Sequence, residues 1–572
     1  MRWLDAIGFP ADSERLSRCG WRRRGSALLL TAAVLGGAAS DSTVRDPVQD
    51  RIRDLLLERP TDVVVAGVEL LQTEEVRRFY GDRRYARAWS GSHGAASRGE
   101  ALRAVLRSAA VEGLDPERYH ARALDRLTRA GGASDSLNAV LDVVLTDAFL
   151  AFARDLALGR VDARTAHPAW AGEARHIDGV AALRGIARGE PPLVAIEPLR
   201  PPYDEYVRLR SALARYRGLE RTGGWVAMPA VRLALGDAGD EVVLLRARLS
   251  AESGRLPSRS PLFDAALDTA VRAFQWSHGL EVDGIVGPQT RRTLDVPVAA
   301  RIQQIAMALE RWRWMPEPDG ELRIEISIPA FTLDVIEGDT AVLSMRIIAG
   351  RRDWPTPIFG ATIRSAILSP YWNVPARIAA LEVLPAVRRD RSYLARNHMQ
   401  VLTKSGRVVD PTLLDFSAPF PHRIRQVPGP DNPLGGIKFV LPNPYDVYLH
   451  DTSAPALFAR AGRALSHGCI RLERPLDLAA LLLRDRPEWT RQALVDAIAT
   501  WKQREVTLPA GVPVAIRYRT AWVEPDGKVH FRDDLYGHDA RLVALLVGAR
   551  TAVAHEPAEP PAGCSVEAAA SQ

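Results

Sequence analysis

Apolar residues recur at helical spacing over much of the first 220 residues. The stretch LNAVLDVVLTDAFLAFARDLALGRV contains no proline, and five of its apolar residues follow at near-helical intervals: Val140, Val143, Val144, Leu150 and Phe152. The later stretch EYVRLRSALARY repeats this pattern, while Asp115-Pro116 marks a break between helices. These patterns predict a helical scaffold over residues 45–225, and nothing in it suggests catalytic chemistry.

A shorter helical pattern follows in residues 231–297. LGDAGDEVVLLRARL places Val242, Leu245 and Leu249 on one face, and FDAALDTAVRAFQWSHGL continues with the same spacing. VDGIVGPQTRRTL is a glycine-rich turn that leads into a helix with Pro288 near its first position. The pattern predicts three short helices around a small core.

From about residue 321 the period of the pattern changes to two. LRIEISIPAFTLDVIEGDTAVLSMRIIAG alternates apolar and polar residues, with Glu337-Gly338-Asp339 as a hairpin turn, and Asp526-Gly527 separates two later strand-like runs. We therefore predict a mostly β domain over residues 300–540, interrupted by a helical, loop-rich stretch at 376–430. The predicted fold class is multidomain α+β.

Both ends of the chain differ from the domains between them. GWRRRGSALLLTAAVLGGAASDS has a basic run, an apolar stretch from Gly25 to Ala39 and small residues before Asp41. This pattern is typical of a secretory signal peptide within residues 1–40, with an uncleaved N-terminal anchor as the alternative. No later run is expected to span a membrane. Residues 545–572 are rich in Pro, Ala and Glu, which predicts a disordered tail.

Composition narrows the class of protein. The net charge of +6 is small for 572 residues, 47% of them hydrophobic, and it does not favour nucleic-acid binding. The chain has only three cysteines, Cys19, Cys469 and Cys564, too few for a disulfide scaffold in an exported protein. A bridge between Cys469 and Cys564 is a remaining alternative, and it would cap the site proposed next.

The stretch LSHGCIRL concentrates the candidate chemistry. A cysteine nucleophile needs a lowered pKa or an adjacent base, and His467 and Arg471 surround Cys469 in sequence. This field is expected to favour the thiolate. The amides of Gly468 and Cys469, together with His467, are candidates for an oxyanion hole, and Ser466 precedes them. Arg471 is a candidate for binding a substrate carboxylate.

His450 is the second candidate base. VYLHD ends a predicted strand at His450-Asp451, so a rigid sheet would hold the imidazole. The stretch PALFARAGRAL that follows is predicted to be a helix, and this helix and a return would bring Cys469, 19 residues after His450, close to it. Three alternatives stay open from the residues alone. Cys469 is either a nucleophile or a small buried residue. His450, His467 and Cys469 could also ligate zinc, although no CxxC or HExxH accompanies them, and His450 could be a core histidine with its hydrogen bonds satisfied.

A family resemblance bears on this choice. YLHDTSAPALF followed by SHGCIRL resembles the L,D-transpeptidase catalytic domain, also called the YkuD domain, whose motif is a His, a spacer, then [S/T]HGC, an apolar residue and Arg or Asn. FYGDRRYARAW, PYWNVPARIA and FRDDLYGHD resemble its large scaffold-containing subgroup, over residues 70 to 540. Residues 231–297 resemble a type 1 peptidoglycan-binding domain, except that Arg246 stands where that family usually has Gln. The resemblance implies that residues 376–430 form a lid.

The resemblance also implies an activity. Cys469 would form a thioester with a peptidoglycan stem peptide, with His450 transferring protons and His467, Ser466, Gly468 and Arg471 assisting, and a 3→3 cross-link would result. No cofactor and no metal are implied. The expected partners are stem peptides, glycan and cell-wall synthases, and the expected location is the periplasm. The alternatives are an L,D-carboxypeptidase or other hydrolase at the same site, and a non-catalytic wall-binding protein.

Overall fold

The computed structural model describes most of the chain between residues 46 and 548. The described ranges are 46–58, 63–91, 94–130, 134–168, 170, 172, 175–253, 259–316, 322–416 and 420–548. The predicted signal peptide, Cys19 and Cys564 lie outside them. The predicted disordered tail begins too early, because residues 545–548 complete a helix.

A bundle of helices forms the N-terminal part of the described chain. Its helices are α1 (Pro47–Leu57), α2 (Thr73–Asp82), α3 (Ser97–Arg107), α4 (Ala121–Ala130), α5 (Asp135–Leu158), α6 (Ala163–Ala166), α7 (Gly179–Arg188), α8 (Pro192–Ala195) and α9 (Asp204–Arg221). Two small hairpins join them: β1 (Val64–Val65) with β2 (Val68–Glu69), and β3 (Ser90–Gly91) with β4 (Gly94–Ala95). The helical scaffold predicted from periodicity is confirmed.

The central helix of this bundle is α5. By length and composition it is apolar enough to cross a membrane, which the sequence analysis did not expect of any later segment. However, 89% of its most apolar window is buried inside the fold, and its apolar side chains form the core of the bundle. Its buried Asp142 accepts hydrogen bonds from Ala88 N and Ser90 N, both at 2.6 Å. A carboxylate satisfied by backbone donors in this way fixes a loop, which gives it a structural role.

Three helices form the next module, as predicted: α10 (Asp240–Ser253), α11 (Ala265–Ser277) and α12 (Pro288–Leu294). Their shared core includes Val242, Leu245 and Val271. Arg246 is only 2% exposed, and its Nη2 donates to Leu262 O at 2.9 Å and pairs with Asp264 at 3.1 Å. The departure from the expected Gln is therefore a buried structural contact and lies away from any exposed glycan-facing surface.

The C-terminal part is built on a nine-stranded sheet. Its strands are β5 (Arg323–Ser327), β6 (Thr332–Glu337), β7 (Thr340–Gly350), β8 (Gly360–Leu368), β13 (Ile437–Val440), β14 (Leu449–His450), β15 (Ala464–Ser466), β16 (Ile470–Leu472) and β17 (Arg504–Arg517), in the order β15-β7-β16-β14-β13-β8-β17-β5-β6. Because β6 also pairs with β7, the sheet curls back on itself. Helices α17 (Pro475–Leu482) and α18 (Arg491–Ala499) add to its apolar core.

A separate small unit, which we call the insert, interrupts this domain at residues 372–426. It has its own four-stranded sheet, β11-β10-β12-β9, and its own apolar core, which includes Val387 and Val401. Its elements are β9 (Trp372–Asn373), α14 (Ala376–Ile378), a π-helical turn (Ala379–Val383), α15 (Leu384–Arg389), α16 (Tyr393–Arg396), β10 (Met399–Leu402), β11 (Val408–Val409) and β12 (Arg423–Gln426). The insert leaves the sheet after β8 and returns to it at β13. Strand β13 pairs with β14, the strand that ends at His450.

The parts of the fold meet around helix α13 (Val298–Arg313). An apolar cluster there joins Leu213 of α9, Leu309 of α13 and Phe531 of the hairpin β18 (Ala521–Val523) and β19 (Val529–Phe531). The turn of this hairpin is Asp526-Gly527, as predicted, with Gly527 at φ +83°. Helix α19 (His538–Gly548) ends the described chain. Buried apolar contact across these elements holds the helical and β parts together.

Candidate active site

Cys469 lies at the end of a tight loop between β15 and β16. Ser466 Oγ donates to Cys469 O at 2.5 Å and accepts from Gly468 N at 3.2 Å. Thr356 Oγ1 donates to Gly468 O at 2.8 Å and accepts from Gly350 N at 2.9 Å. The Ser466 hydroxyl is thus used within the loop, where it fixes the backbone that carries the cysteine.

Two glycines allow this loop to pack closely against β7. Gly468 has φ +110°, a conformation that side chains rarely adopt. A Cβ on Gly350 would lie 2.1 Å from Trp354 O and 3.1 Å from the Cα of Gly468, so only glycine fits there. Gly468 was expected from its motif, whereas Gly350 and Thr356 lie more than 100 residues earlier and were missed.

Among the described residues, Cys469 is a cysteine with a free thiol, outside any disulfide. Burial raises its pKa, while hydrogen bonds from the backbone and hydroxyl of Tyr448 and the charge of Lys438 act in the opposite direction. Its Sγ donates weakly to Asp446 O at 3.7 Å. The expectation that the local field favours the thiolate is therefore wrong for the resting site, because desolvation exceeds the attraction of the nearby cation.

His450 occupies the end of β14, as the sequence predicted. It pairs in register with Lys438 of β13 on one side and with Arg471 of β16 on the other. Its Nδ1 lies 2.5 Å from Asp451 O, which can only accept, so Nδ1 carries the proton of the neutral ring. The carbonyl of Pro433 is a second acceptor at the ring, and both carbonyls favour the protonated form. Burial, with the charge of Arg471 second, lowers the pKa of His450 to about 3, so the imidazole is neutral near pH 7.

Two cations flank this histidine. In the part of the chain that the structure describes, neither Lys438 nor Arg471 forms a direct ion pair, although the charges of Asp446 and Glu505 act on Lys438. The buried Arg471 Nε has no hydrogen-bond partner there. Lys438 Nζ instead lies 3.9 Å from the centre of the Tyr448 ring. Unpaired guanidinium and ammonium groups beside a thiol are suited to an anionic substrate group.

The imidazole of His467 is held from two sides. Its Nε2 lies 2.6 Å from Glu382 Oε1 of the insert. Its ring packs edge-to-face against Trp354, with ring centres 4.9 Å apart. The sequence analysis missed Glu382, since no local pattern marks a partner that lies 85 residues away.

Backbone N–H groups near the thiol differ in availability. The Gly468 N–H already donates to Ser466 Oγ, whereas the Cys469 N–H has no hydrogen-bond partner among the described residues. The Tyr448 hydroxyl is a further donor at the sulfur, and it lies two residues before His450 on the same strand face. Strand alternation was the signal that would have identified Tyr448.

The zinc alternative does not match this geometry. Within the described ranges, no group of three or more His, Cys, Asp or Glu side chains is arranged to hold a metal ion. Of the three side chains in that alternative, His467 instead contacts the carboxylate of Glu382, and Nδ1 of His450 is engaged by a carbonyl. Cys469 is also more than a small core residue, since a tyrosine and two unpaired cations surround it.

Comparisons with known proteins identify three regions of the chain. Residues 74–213 match the family model of the Scaffold domain, 238–294 that of a family described as "Putative peptidoglycan binding domain", and 321–506 that of the L,D-transpeptidase catalytic domain. A Haemophilus influenzae protein named "Putative L,D-transpeptidase" is 33% identical over 243 residues, which are 42% of this chain and 49% of that protein. The chain thus spans about half the length of this curated relative.

Solved structures give more distant likenesses. An L,D-transpeptidase from Mycobacterium smegmatis is 16% identical over 34% of this chain and 58% of that one, with a TM-score of 0.18. An L,D-transpeptidase from Stackebrandtia nassauensis is 13% identical over 51% of this chain and 96% of that one, with a TM-score of 0.21. The family models carry the likeness: separate stretches of this chain match a scaffold domain, a peptidoglycan binding domain and an L,D-transpeptidase catalytic domain.

Proposed function

We propose that this protein is a peptidoglycan L,D-transpeptidase that forms 3→3 cross-links through a thioester on Cys469. The observation that carries the proposal is the position of Cys469, on a fixed loop that leads into β16, next to the strand β14 that ends at the neutral His450, with the charges of Lys438 and Arg471 acting on the sulfur. The family match over residues 321–506 supports the reaction class.

In the first half-reaction, Cys469 Sγ attacks the carbonyl between the third residue of a tetrapeptide stem and its terminal D-Ala. The resting site holds a thiol and a neutral imidazole, because the pKa of the thiol is raised and that of His450 is lowered. The thiol proton therefore passes to His450 Nε2 as the C–S bond forms, and from there to the leaving amine of D-Ala. Breaking the C–N bond leaves the thioester.

In the second half-reaction, the side-chain amine of a neighbouring stem attacks the thioester. A new amide forms, the C–S bond breaks and the amine proton returns to the thiolate through His450. We assign stabilisation of the oxyanion in both halves to the Cys469 N–H and the Tyr448 hydroxyl. Arg471 and Lys438 would bind a stem carboxylate, which fits a substrate that carries several negative groups.

The other domains fit a cell-wall substrate. The match over residues 238–294 supports attachment of the enzyme to peptidoglycan, and export to the periplasm follows from where that substrate lies. The basic and apolar sequence of residues 1–40 supports export, either as a cleaved signal or as a membrane anchor. Cell-wall synthases are the expected partners there.

The product formed from a purified disaccharide-tetrapeptide tests this proposal. Mass spectrometry should detect a cross-linked dimer and released D-Ala with the wild-type protein, and neither with Cys469→Ala. A tripeptide without dimer would instead assign an L,D-carboxypeptidase at the same site. No product at all, with a folded protein that binds cell walls, would favour the non-catalytic alternative.

A further inference from the structure

The insert reaches the loop that carries the cysteine at one side chain, Glu382. We propose that Glu382 is a positioning residue for the His467 imidazole, so that the reactive site is complete only when the insert is docked. This inference rests on the proposed function, and it goes beyond it by giving a residue of the insert a defined task.

The contact between Glu382 and His467 fixes which ring nitrogen of His467 carries the proton and how the ring is oriented. The distance of 2.6 Å between Glu382 Oε1 and His467 Nε2 is that of a strong hydrogen bond. A carboxylate can only accept, so Nε2 must carry the proton, and in the neutral ring Nδ1 is then the acceptor. Glu382 thereby selects the tautomer and the orientation of an imidazole two residues from the thiol.

A second set of contacts comes from the loop after β7. The Trp354 ring lies edge-to-face on His467, and the guanidinium of Arg377, from α14 of the insert, lies 3.9 Å from the Trp354 ring centre. Arg351 links the two sides, because its Nη2 lies 3.6 Å from Glu382 Oε1 and its backbone N–H donates to Ser466 O at 2.9 Å. The insert thus supplies Glu382 and contacts Trp354, the two side chains that hold the His467 ring.

The partial exposure of Glu382 and His467 indicates that their contact orients the ring more than it stabilises the fold. The side chains of Glu382 and His467 are 43% and 24% exposed, and ion pairs at such positions contribute little to folding stability. The insert also has its own apolar core, so its folding does not depend on Glu382. Removing the carboxylate should therefore alter the reaction while the protein stays folded.

The arrangement has the form of a nucleophile loop whose histidine is oriented by a third group. Here the third group belongs to a separate unit that is inserted between the neighbouring strands β8 and β13. Undocking of the insert would release the His467 ring, so acylation of Cys469 would respond to the position of the insert.

Acylation of Cys469 by imipenem, followed by intact mass on the full chain, tests this role. We expect Glu382→Ala to slow acylation at saturating imipenem by about 10-fold with an unchanged melting temperature. Glu382→Gln keeps an oxygen that accepts from Nε2, and it should restore the rate to within about threefold of wild type. Asp390→Asn is the matched control, since it removes another exposed, Arg-paired carboxylate of the insert, and it should not change the rate.

A double variant separates positioning from a general structural effect. In a His467→Ala background, Glu382→Ala should have no further effect on the rate, because its target is absent. An equal slowing in that background, or wild-type acylation by Glu382→Ala alone, overturns the inference. If the wild-type protein forms no adduct, the proposed function itself fails, and the role of Glu382 with it.

Discussion

Lys438 Nζ lies 3.9 Å from the centre of the Tyr448 ring, and both side chains act on the Cys469 sulfur. The hydrogen bonds of Tyr448 and the charge of Lys438 lower the pKa of a thiol that burial raises. Since His450 is the register partner of Lys438, the same cation also disfavours protonation of the imidazole. Both groups are therefore neutral at rest near pH 7.

Removing the charge of Lys438 should make the thiol less reactive. Lys438→Met keeps most of the side-chain volume but removes the cation, so the pKa of Cys469 rises further and less thiolate is present at neutral pH. We expect the pH profile of Cys469 alkylation by iodoacetamide to move towards higher pH. Lys404→Met, at an exposed position of the insert, is the control and should leave the profile unchanged. An unshifted profile for Lys438→Met would show that the cation does not act on the sulfur.

The role of His450 can be tested by replacing the imidazole with an amide. His450→Gln lacks a group that can take the thiol proton, so acylation by imipenem should slow by about 10²- to 10⁴-fold. His176→Gln, at an exposed histidine, is the control. Acylation at the wild-type rate in His450→Gln would transfer the role of base to His467.

The lowered pKa of His450 also predicts a pH dependence. With a pKa of about 3, the imidazole stays neutral down to pH 5.5, so the acylation rate should change little between pH 8 and pH 5.5. A histidine with the ordinary pKa of about 6.5 would lose about 10-fold in neutral form over that range. Intact-mass spectrometry on samples quenched at successive times measures the rates, and circular dichroism at each pH checks that the protein stays folded.

Buried histidines should make the fold sensitive to acid. Burial lowers the pKa of His530 to about 3, so below the unfolded-state pKa the unfolded chain binds a proton that the folded protein does not. Stability is therefore lost as the pH falls from about 6.5 towards 3, by about 2 kcal/mol at pH 5 for this group. His530→Phe keeps a ring stacked on Trp522 and should recover about that amount in urea unfolding at pH 5, relative to pH 7. His176→Gln should recover nothing.

The three-helix module presents an exposed aromatic side chain, Trp276, as a candidate contact with the wall, although its ring also lies 4.9 Å from Lys528 Nζ and packs edge-to-face on His530. Trp276 on α11 is 50% exposed, and a flat aromatic face can pack against the C–H groups of a sugar ring. Trp276→Ala should weaken binding to isolated cell-wall sacculi in a sedimentation assay. Leu244→Ala, on the exposed side of α10, serves as the matched control. Equal binding by both variants would leave the module as a spacer between the other domains.

Local patterns identified much of the fold because they report nearest neighbours along the chain. Helix α5 and the turn at Asp526-Gly527 follow from periodicity and from a glycine with positive φ. The same reasoning failed for the stretch after Asp451, where helix-like spacing predicted a helix but the chain forms a short 3-10 turn over Pro455–Ala459. It also did not find the insert's separate sheet, whose strands are two to four residues long and carry little local signal, and in which β9 and β12 pair across about 50 residues.

The sequence by itself determined which residues carry the proposed chemistry, because a nucleophile, its histidines and an arginine stand in one motif. It also determined where the helical part of the chain gives way to the β part, since the period of the apolar pattern changes to two near residue 321. Only the tertiary structure decided the protonation of the site, as desolvation depends on what packs around Cys469 and His450. It alone brought Glu382 to His467 and Gly350 to Gly468, because contacts between distant segments depend on how the sheet and the insert fold together.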